Sequence, residues 1–182
     1  MSGFLAPRRI AIIGAECTGK TTLARALASH LPALWVPEHL RDFCAAHGRT
    51  PRADEQRDLV RRQVELEREA LVRAAREAVG WVVCDSTPLA TALYSAQLFG
   101  DETLLEAAIA HQRGYAVTLL AEPDLPWRAD GIQRDGPEAR SGFHERLLSL
   151  LASHRVPHRR ISGDEKTRLA TARSAVLSTR PI

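Results

Sequence analysis

Ile10-Ala11-Ile12-Ile13-Gly14-Ala15-Glu16-Cys17-Thr18-Gly19-Lys20-Thr21-Thr22-Leu23 is the stretch on which the fold turns. An apolar run ends at a glycine, five residues later comes Gly-Lys-Thr, and a segment with helical spacing follows to Leu31. G-x-x-x-x-G-K-[ST] between a strand and a helix is a phosphate-binding loop. Its glycines let the backbone curl so that successive N–H groups point inward at phosphate oxygens. The N-terminus of the following helix adds a positive partial charge. Gly14, Glu16, Cys17, Thr18, Gly19, Lys20, Thr21 and Thr22 therefore form the expected nucleotide cradle. Lys20 reaches the outer phosphates and the Thr21 hydroxyl is a ligand for Mg²⁺. Only Lys20 and Lys166 among the 25 basic residues are lysines. A compact ammonium suits a crowded cradle better than a guanidinium fork.

Outward from this loop, strand and helix patterns alternate to the end of the chain. Arg8–Ile13 reads as a central strand covered on both faces, and Lys20–His30 as the helix after it. Residues 33–37 read as a second strand, 38–47 as a short helix and 53–79 as a long charged helix. That long helix carries a stripe of Leu59, Val60, Val64, Leu66, Ala70 and Leu71, interrupted at Glu67. Trp81–Asp85 is a third strand, followed by helices over 87–99 and 102–111. Residues 115–121 form a fourth strand, 137–153 a helix, 158–161 a fifth strand and 165–177 a closing helix capped by Asp164. This alternation predicts an α/β, three-layer P-loop NTPase fold, with a five-stranded parallel sheet in a single domain over 1–182.

Two carboxylates fall where strands end, the edge at which open α/β sheets bind ligands. Glu38 follows the second strand and Asp85 closes the third. Asp85 is the expected partner of Thr21 at Mg²⁺, and Glu38 the first choice to orient or deprotonate an attacking hydroxyl, with Asp85 the second. The stretch from Glu122 to Pro137 is rich in Pro, Gly, Asp and Arg, and is too long for an ordinary connection. It reads as an Arg-rich lid over about 123–140. Arg128, Arg134 and Arg140 are its candidate phosphate contacts, Arg134 the foremost, and Trp127 is placed to stack on an aromatic ring.

The bulk numbers fit a globular protein whose mild positive charge suits an anionic small ligand. With 182 residues, 45% of them hydrophobic and a formal charge of +3, the chain has no nucleic-acid footprint. No apolar run approaches the about 20 residues that span a bilayer, and no membrane partner is expected. The three cysteines match no metal spacing and read as reduced thiols in a cytoplasmic protein. Oligomeric state has no sequence signature here.

Four stretches carry a family resemblance. They are the P-loop with Thr22-Leu23, Val36-Pro37-Glu38-His39-Leu40-Arg41-Asp42, Asp85 followed by Thr91, and the run from Leu120 through Glu122-Pro123-Asp124-Leu125-Pro126-Trp127 to Gly131. Together the chain resembles the ribosylnicotinamide kinase domain of NadR-type proteins over nearly its whole length. The resemblance implies transfer of a phosphoryl group from ATP to the 5′-hydroxyl of nicotinamide riboside. It further implies that Glu38, Arg41 and Asp42 form the element that approaches the ribose, and that Trp127 and Asp130 line the nucleoside site. Gly163, in the Ser162-Gly163 turn, then flanks adenine. Two positions depart from that pattern: His39 replaces an aromatic, and Thr87 stands where a second acid is frequent. The bifunctional relatives carry a preceding nucleotidyltransferase domain, and that activity is expected to be absent here. Alternatives are a kinase for another nucleoside or small molecule, a non-catalytic regulatory ATP-binding module, and an ATPase in a larger assembly.

Overall fold

The computed structural model describes residues 6–127 and 136–179. The five strands are β1 (Arg8–Ile13), β2 (Ala33–Val36), β3 (Trp81–Asp85), β4 (Val117–Ala121) and β5 (Arg159–Ile161). They form one parallel sheet in the order β2-β3-β1-β4-β5. The expected fold class is the observed one. The helices are α1 (Lys20–His30), α2 (His39–His47), α3 (Gln56–Arg76), α4 (Pro88–Phe99), α5 (Leu105–Gln112), α6 (Pro137–Ser153) and α7 (Glu165–Leu177).

β1 shows how the strand period builds the three layers. Ile10 and Ile12 belong to the core beneath α1 and α7, with Leu27, Leu119 and Ala172. Ala11 and Ile13 point the other way, toward α3 and toward the cluster of Leu93, Ile109 and Leu147 from α4, α5 and α6. A strand buried on both faces needs apolar residues at every position, hence the unbroken isoleucine-rich run. The connection leaving β1 runs to β2 on one side, and the one leaving β3 crosses to β4 on the other. The crevice at the carboxyl ends of these adjacent strands is the switch point of the sheet.

Several boundaries move for local reasons. β2 stops at Val36, because Pro37 has no N–H to donate to the ladder. The long helical pattern divides into a 3₁₀ turn at Ala53–Glu55 and α3 proper, which ends at Arg76 before the left-handed Ala78. α5 begins at Leu105, since the Asp101 carboxylate takes the Thr103 N–H and hydroxyl and holds a turn ahead of it. β4 begins at Val117, because the Tyr115 N–H is turned to the Gln112 carbonyl.

The largest departure concerns the buried face of α3. Its deepest row is Gln56, Leu59, Gln63, Glu67, Ala70 and Ala74, while Val60, Val64, Leu66 and Leu71 flank it half-buried. Glu67 is not an interruption at the edge; it is fully enclosed, at 0% exposure. The Arg9 guanidinium donates to its Oε2 at 2.8 Å, His111 Nε2 lies 2.9 Å from the same oxygen, and the Tyr115 hydroxyl donates at 2.6 and 2.7 Å. Burial, with the Glu67 charge beside it, pushes the Tyr115 phenol well above its usual range. Arg9 also stacks over the Tyr115 ring, 4.6 Å from its centroid. Breaking such a buried pair by deleting one partner costs about 3–5 kcal/mol. Glu67→Leu is expected to lose stability in that range in urea unfolding, with Glu67→Gln losing less because it still accepts from Tyr115. A Glu67→Leu loss under about 1 kcal/mol would mean the network is not what holds α3 to β1.

Candidate functional site

The P-loop leaves β1 through two backbone conformations that L side chains rarely adopt. Cys17 has φ 54° and Gly19 φ 76°, left-handed positions of the kind from which anion-binding nests of backbone N–H groups are built. Gly14 is required for a different reason. A Cβ there would lie 2.7 Å from the Ala121 carbonyl oxygen, at the end of β4. The Thr18 hydroxyl and the Lys20 ammonium both donate to the Ala15 carbonyl at 2.8 Å, which folds the loop on itself and holds the lysine inside it. Glu16, Cys17 and Thr21 are half-buried along the loop, and Thr22 is exposed on the first turn of α1.

Three of the expected residues from separate strand ends meet at this loop. Glu38 is the N-cap residue of α2, but its side chain caps nothing. Instead its carboxylate lies within electrostatic reach of Lys20 and Asp85, on the side of Ser86. Arg41 Nε stands 3.9 Å from Glu38 Oε2. Arg41 and Asp42 otherwise occupy the exposed side of α2. Asp85 is 1% exposed, and its Oδ1 has no hydrogen-bond partner among the described residues. A buried, orphaned carboxylate oxygen is costly unless something else binds it.

That oxygen, with the Thr21 hydroxyl one residue beyond the lysine, fits Mg²⁺. This cation takes one or two protein oxygens and completes its octahedron with phosphates and water. No cluster of three or more His, Cys, Asp or Glu side chains suited to a metal occurs among the described residues. A metal here would share its shell with the nucleotide.

Burial raises the Glu38 carboxyl above the ordinary glutamate range; Lys20 opposes this, Asp85 reinforces it, and Arg41 and Ser86 oppose it more weakly. The sign of the consequence follows from linkage. The native state binds this proton more tightly than the unfolded chain, so the group's stabilising contribution is full below the unfolded glutamate value. It is lost as pH rises through the higher native value. At neutral pH the ionised Glu38 is therefore a cost to the ligand-free fold. Glu38→Gln should raise Tm at pH 7 and leave it nearly unchanged at pH 4; an equal shift at both pH values would show that the carboxylate is not strained by its surroundings.

The lid root is anchored from both sides. Arg140 Nη1 donates to the Leu125 carbonyl at 3.0 Å and Nη2 to that of Pro123 at 3.1 Å. Two of the N–H groups expected to face phosphate are thus committed to the segment that opens the lid. Leu125 in turn packs over Gly19, leaving 3.0 Å to where a Cβ would stand. Trp127 is half-buried, and its indole N–H has no partner among the described residues. Arg128, Asp130 and Arg134 lie outside the described residues.

Two residues at this edge escape a reading of the sequence. Thr87 does not stand in for an acid: its hydroxyl turns inward to Gln112 Oε1 at 2.9 Å, in a chain that continues to Thr118. Arg168, on α7, is buried and holds four pieces of chain together. Its guanidinium donates to the carbonyls of Thr18 in the P-loop, Glu122 at the end of β4 and Gly163 in the β5–α7 turn, and pairs with Asp124 at the lid root. Asp124 also takes the Gly163 N–H at 2.6 Å. The turn expected to flank adenine is therefore tied to the phosphate loop through one side chain. An arginine in a polar helical stretch carries no signal of this; only the fold brings residue 168 to residue 18.

Residues 9–168 match a family model described as an AAA domain. No curated protein matches the chain in sequence. Among solved structures, the fold is similar to NadR protein in complex with NAD and AMP-PNP, at 23% identity and a TM-score of 0.76 over 97% of this chain and 50% of that one. It is equally similar to NadR protein in complex with NR, at 22% identity and a TM-score of 0.74, covering 97% of this chain and 52% of that one. The chain spans about half the length of these NadR structures. Thymidylate kinase from Ehrlichia chaffeensis follows at 14% identity and a TM-score of 0.60, with 94% of this chain and 97% of that one covered.

Proposed function

The chain belongs to the AAA domain family, and we propose that it is an ATP-dependent kinase for the 5′-hydroxyl of nicotinamide riboside, yielding the mononucleotide. The observation that carries the reading is the meeting of a P-loop lysine with two carboxylates of unlike surroundings, Asp85 buried and Glu38 half-buried. One, Asp85, has an orphaned oxygen; the other, Glu38, has a raised affinity for a proton. Pairs of titratable groups held in different environments divide roles between them. The nucleoside side of the proposal draws support from the likeness to NadR bound to NR and from the unpartnered Trp127 indole beside the lid root.

Phosphoryl transfer asks the protein mainly for in-line positioning and charge stabilisation. Lys20 leaves the Ala15 carbonyl for the γ-phosphate, and the loop N–H groups hold the β-phosphate. Thr21 and Asp85 would hold Mg²⁺, which would offset charge on the phosphate oxygens. Glu38 accepts a hydrogen bond from the attacking hydroxyl and takes its proton as that oxygen bonds to the γ-phosphorus and the bond to the bridging oxygen breaks, ADP leaving with it. Arg41 stays beside Glu38 and favours its ionised form. Arg128 and Arg134 of the lid spread over the transferring group, while Arg140 holds the lid root and Gly163 flanks adenine. Trp127 and Asp130 face the nucleoside, and Asp42 bounds the ribose end.

The test is a panel of nucleosides and vitamins incubated with ATP and Mg²⁺, with the phosphorylated product read by mass. Nicotinamide riboside should be the best acceptor by kcat/KM. A better acceptor elsewhere in the panel replaces the substrate and keeps the kinase. ATP binding with no acceptor turned over would instead support a regulatory module.

A further inference from the structure

Glu38 can act on a hydroxyl only if its carboxylate is aimed, and within the β2–α2 junction its contact is a loose one, with the exposed Arg41 at 3.9 Å. The residue is the non-helical start of α2, with φ −71° and ψ 109°, and it makes no capping bond. What grips the junction is the carboxamide of Gln63, reaching across from α3. Gln63 Oε1 accepts the His39 N–H at 2.8 Å, and Gln63 Nε2 donates to the Pro37 carbonyl at 3.4 Å. One side chain thus holds the backbone immediately before and immediately after Glu38. A primary amide suits this task, since it alone among uncharged side chains offers a donor and an acceptor from one planar fork. The bond from His39 also satisfies one of the N–H groups left open at a helix start, a role a cap would usually fill. Gln63 is 4% exposed.

The strand end that faces the carboxylate is fixed separately. Ser86, next to Asp85, is buried with φ 62°, a left-handed conformation uncommon outside glycine, and its N–H is fixed to the Ile12 carbonyl at 3.0 Å. Backbone strain of this kind persists where surrounding structure over-determines it and clusters at functional sites.

We propose that Gln63 is a positioning residue for phosphoryl transfer, its carboxamide fixing the backbone on both sides of Glu38 so that the carboxylate meets the acceptor hydroxyl. The inference rests on the reading of Glu38 given above. A residue that acts only through another shows no effect once that other is gone.

The experiment is a double-mutant cycle on kcat, using the full chain with ATP and the best acceptor of the panel. Gln63→Leu removes both hydrogen bonds. Gln63→Asn keeps the amide but is one methylene too short to reach both partners, and it serves if the leucine variant does not fold. Supporting groups of this kind are typically worth about 10–100-fold. In the wild-type background either variant should lower kcat by that factor while KM for ATP stays within about twofold. In the Glu38→Gln background the same substitution should lower kcat no further. An equal loss in both backgrounds would overturn the proposal, assigning Gln63 to general packing. Normal kcat in Glu38→Gln itself would overturn the reading of Glu38 and, with it, the clamp.

Discussion

Lys20→Ala is expected to abolish ATP-dependent turnover while the protein remains folded. The ammonium donates to the Ala15 carbonyl, inside a loop whose remaining geometry is set by Gly14, Cys17 and Gly19. Its stem is buried, but its partner is a single carbonyl that water can serve. Removing one preorganised donor to a developing charge typically costs about 10²–10³ in rate. A full positive charge on the transferring group should cost at least the upper end. Lys20→Met keeps the stem's packing and removes only charge, so it separates chemistry from stability; its Tm should stay close to wild type. Loss of Lys20 also removes the cation that opposes protonation of Glu38, so any residual activity should shift its acid limb upward in pH. Lys20→Arg should not rescue, because a guanidinium fork does not fit a loop closed on itself around Ala15. A folded Lys20→Met enzyme with near-normal kcat/KM would remove the P-loop from the mechanism.

The order of strands and helices was legible because its signals are local. β1, the loop glycines and α1 follow from one unbroken run, residues 8–30, and their observed bounds are the expected ones. Closing α7 was equally plain, with the Asp164 carboxylate accepting the Thr167 N–H. The polar interior was not legible. Gln63, Glu67 and Arg168 are residue types that belong on surfaces, and each is buried because it meets partners 24 to 150 residues away in the chain. A hydrophobic stripe predicts which face of α3 turns inward, but not that its deepest row would be Gln, Glu and small residues. The strand-end rule placed Glu38 and Asp85 at one edge; the burial that makes their surroundings differ required the packed helices. Thr87 is the converse case. Its position suggests a site residue, and its hydroxyl is used inside the core.

Glu38→Gln and Asp85→Asn should fail in different ways, and the difference identifies which carboxylate does what. Both substitutions are nearly isosteric, so each removes charge and basicity with little change in shape. General-base help is typically worth about 10²–10⁴-fold, and kcat of Glu38→Gln should fall by that range while KM for ATP holds, since Lys20 and the loop N–H groups bind the phosphates. The raised proton affinity of Glu38 gives wild-type kcat an acid limb above the ordinary glutamate range, and that limb should vanish in the variant. Asp85→Asn keeps an oxygen but loses the charge that draws a divalent cation to the orphaned Oδ1. Its activity should need several-fold more Mg²⁺, recover in part at high Mg²⁺, and still show an acid limb. The two carboxylates act on each other's charge, so the limb in Asp85→Asn should move slightly toward lower pH, where one negative neighbour fewer opposes ionisation of Glu38. The measurement is kcat against pH and against Mg²⁺ for both variants beside wild type. Normal turnover by Glu38→Gln, together with an Asp85→Asn loss that no Mg²⁺ concentration relieves, would assign proton transfer to Asp85 and leave Glu38 to bind the ribose.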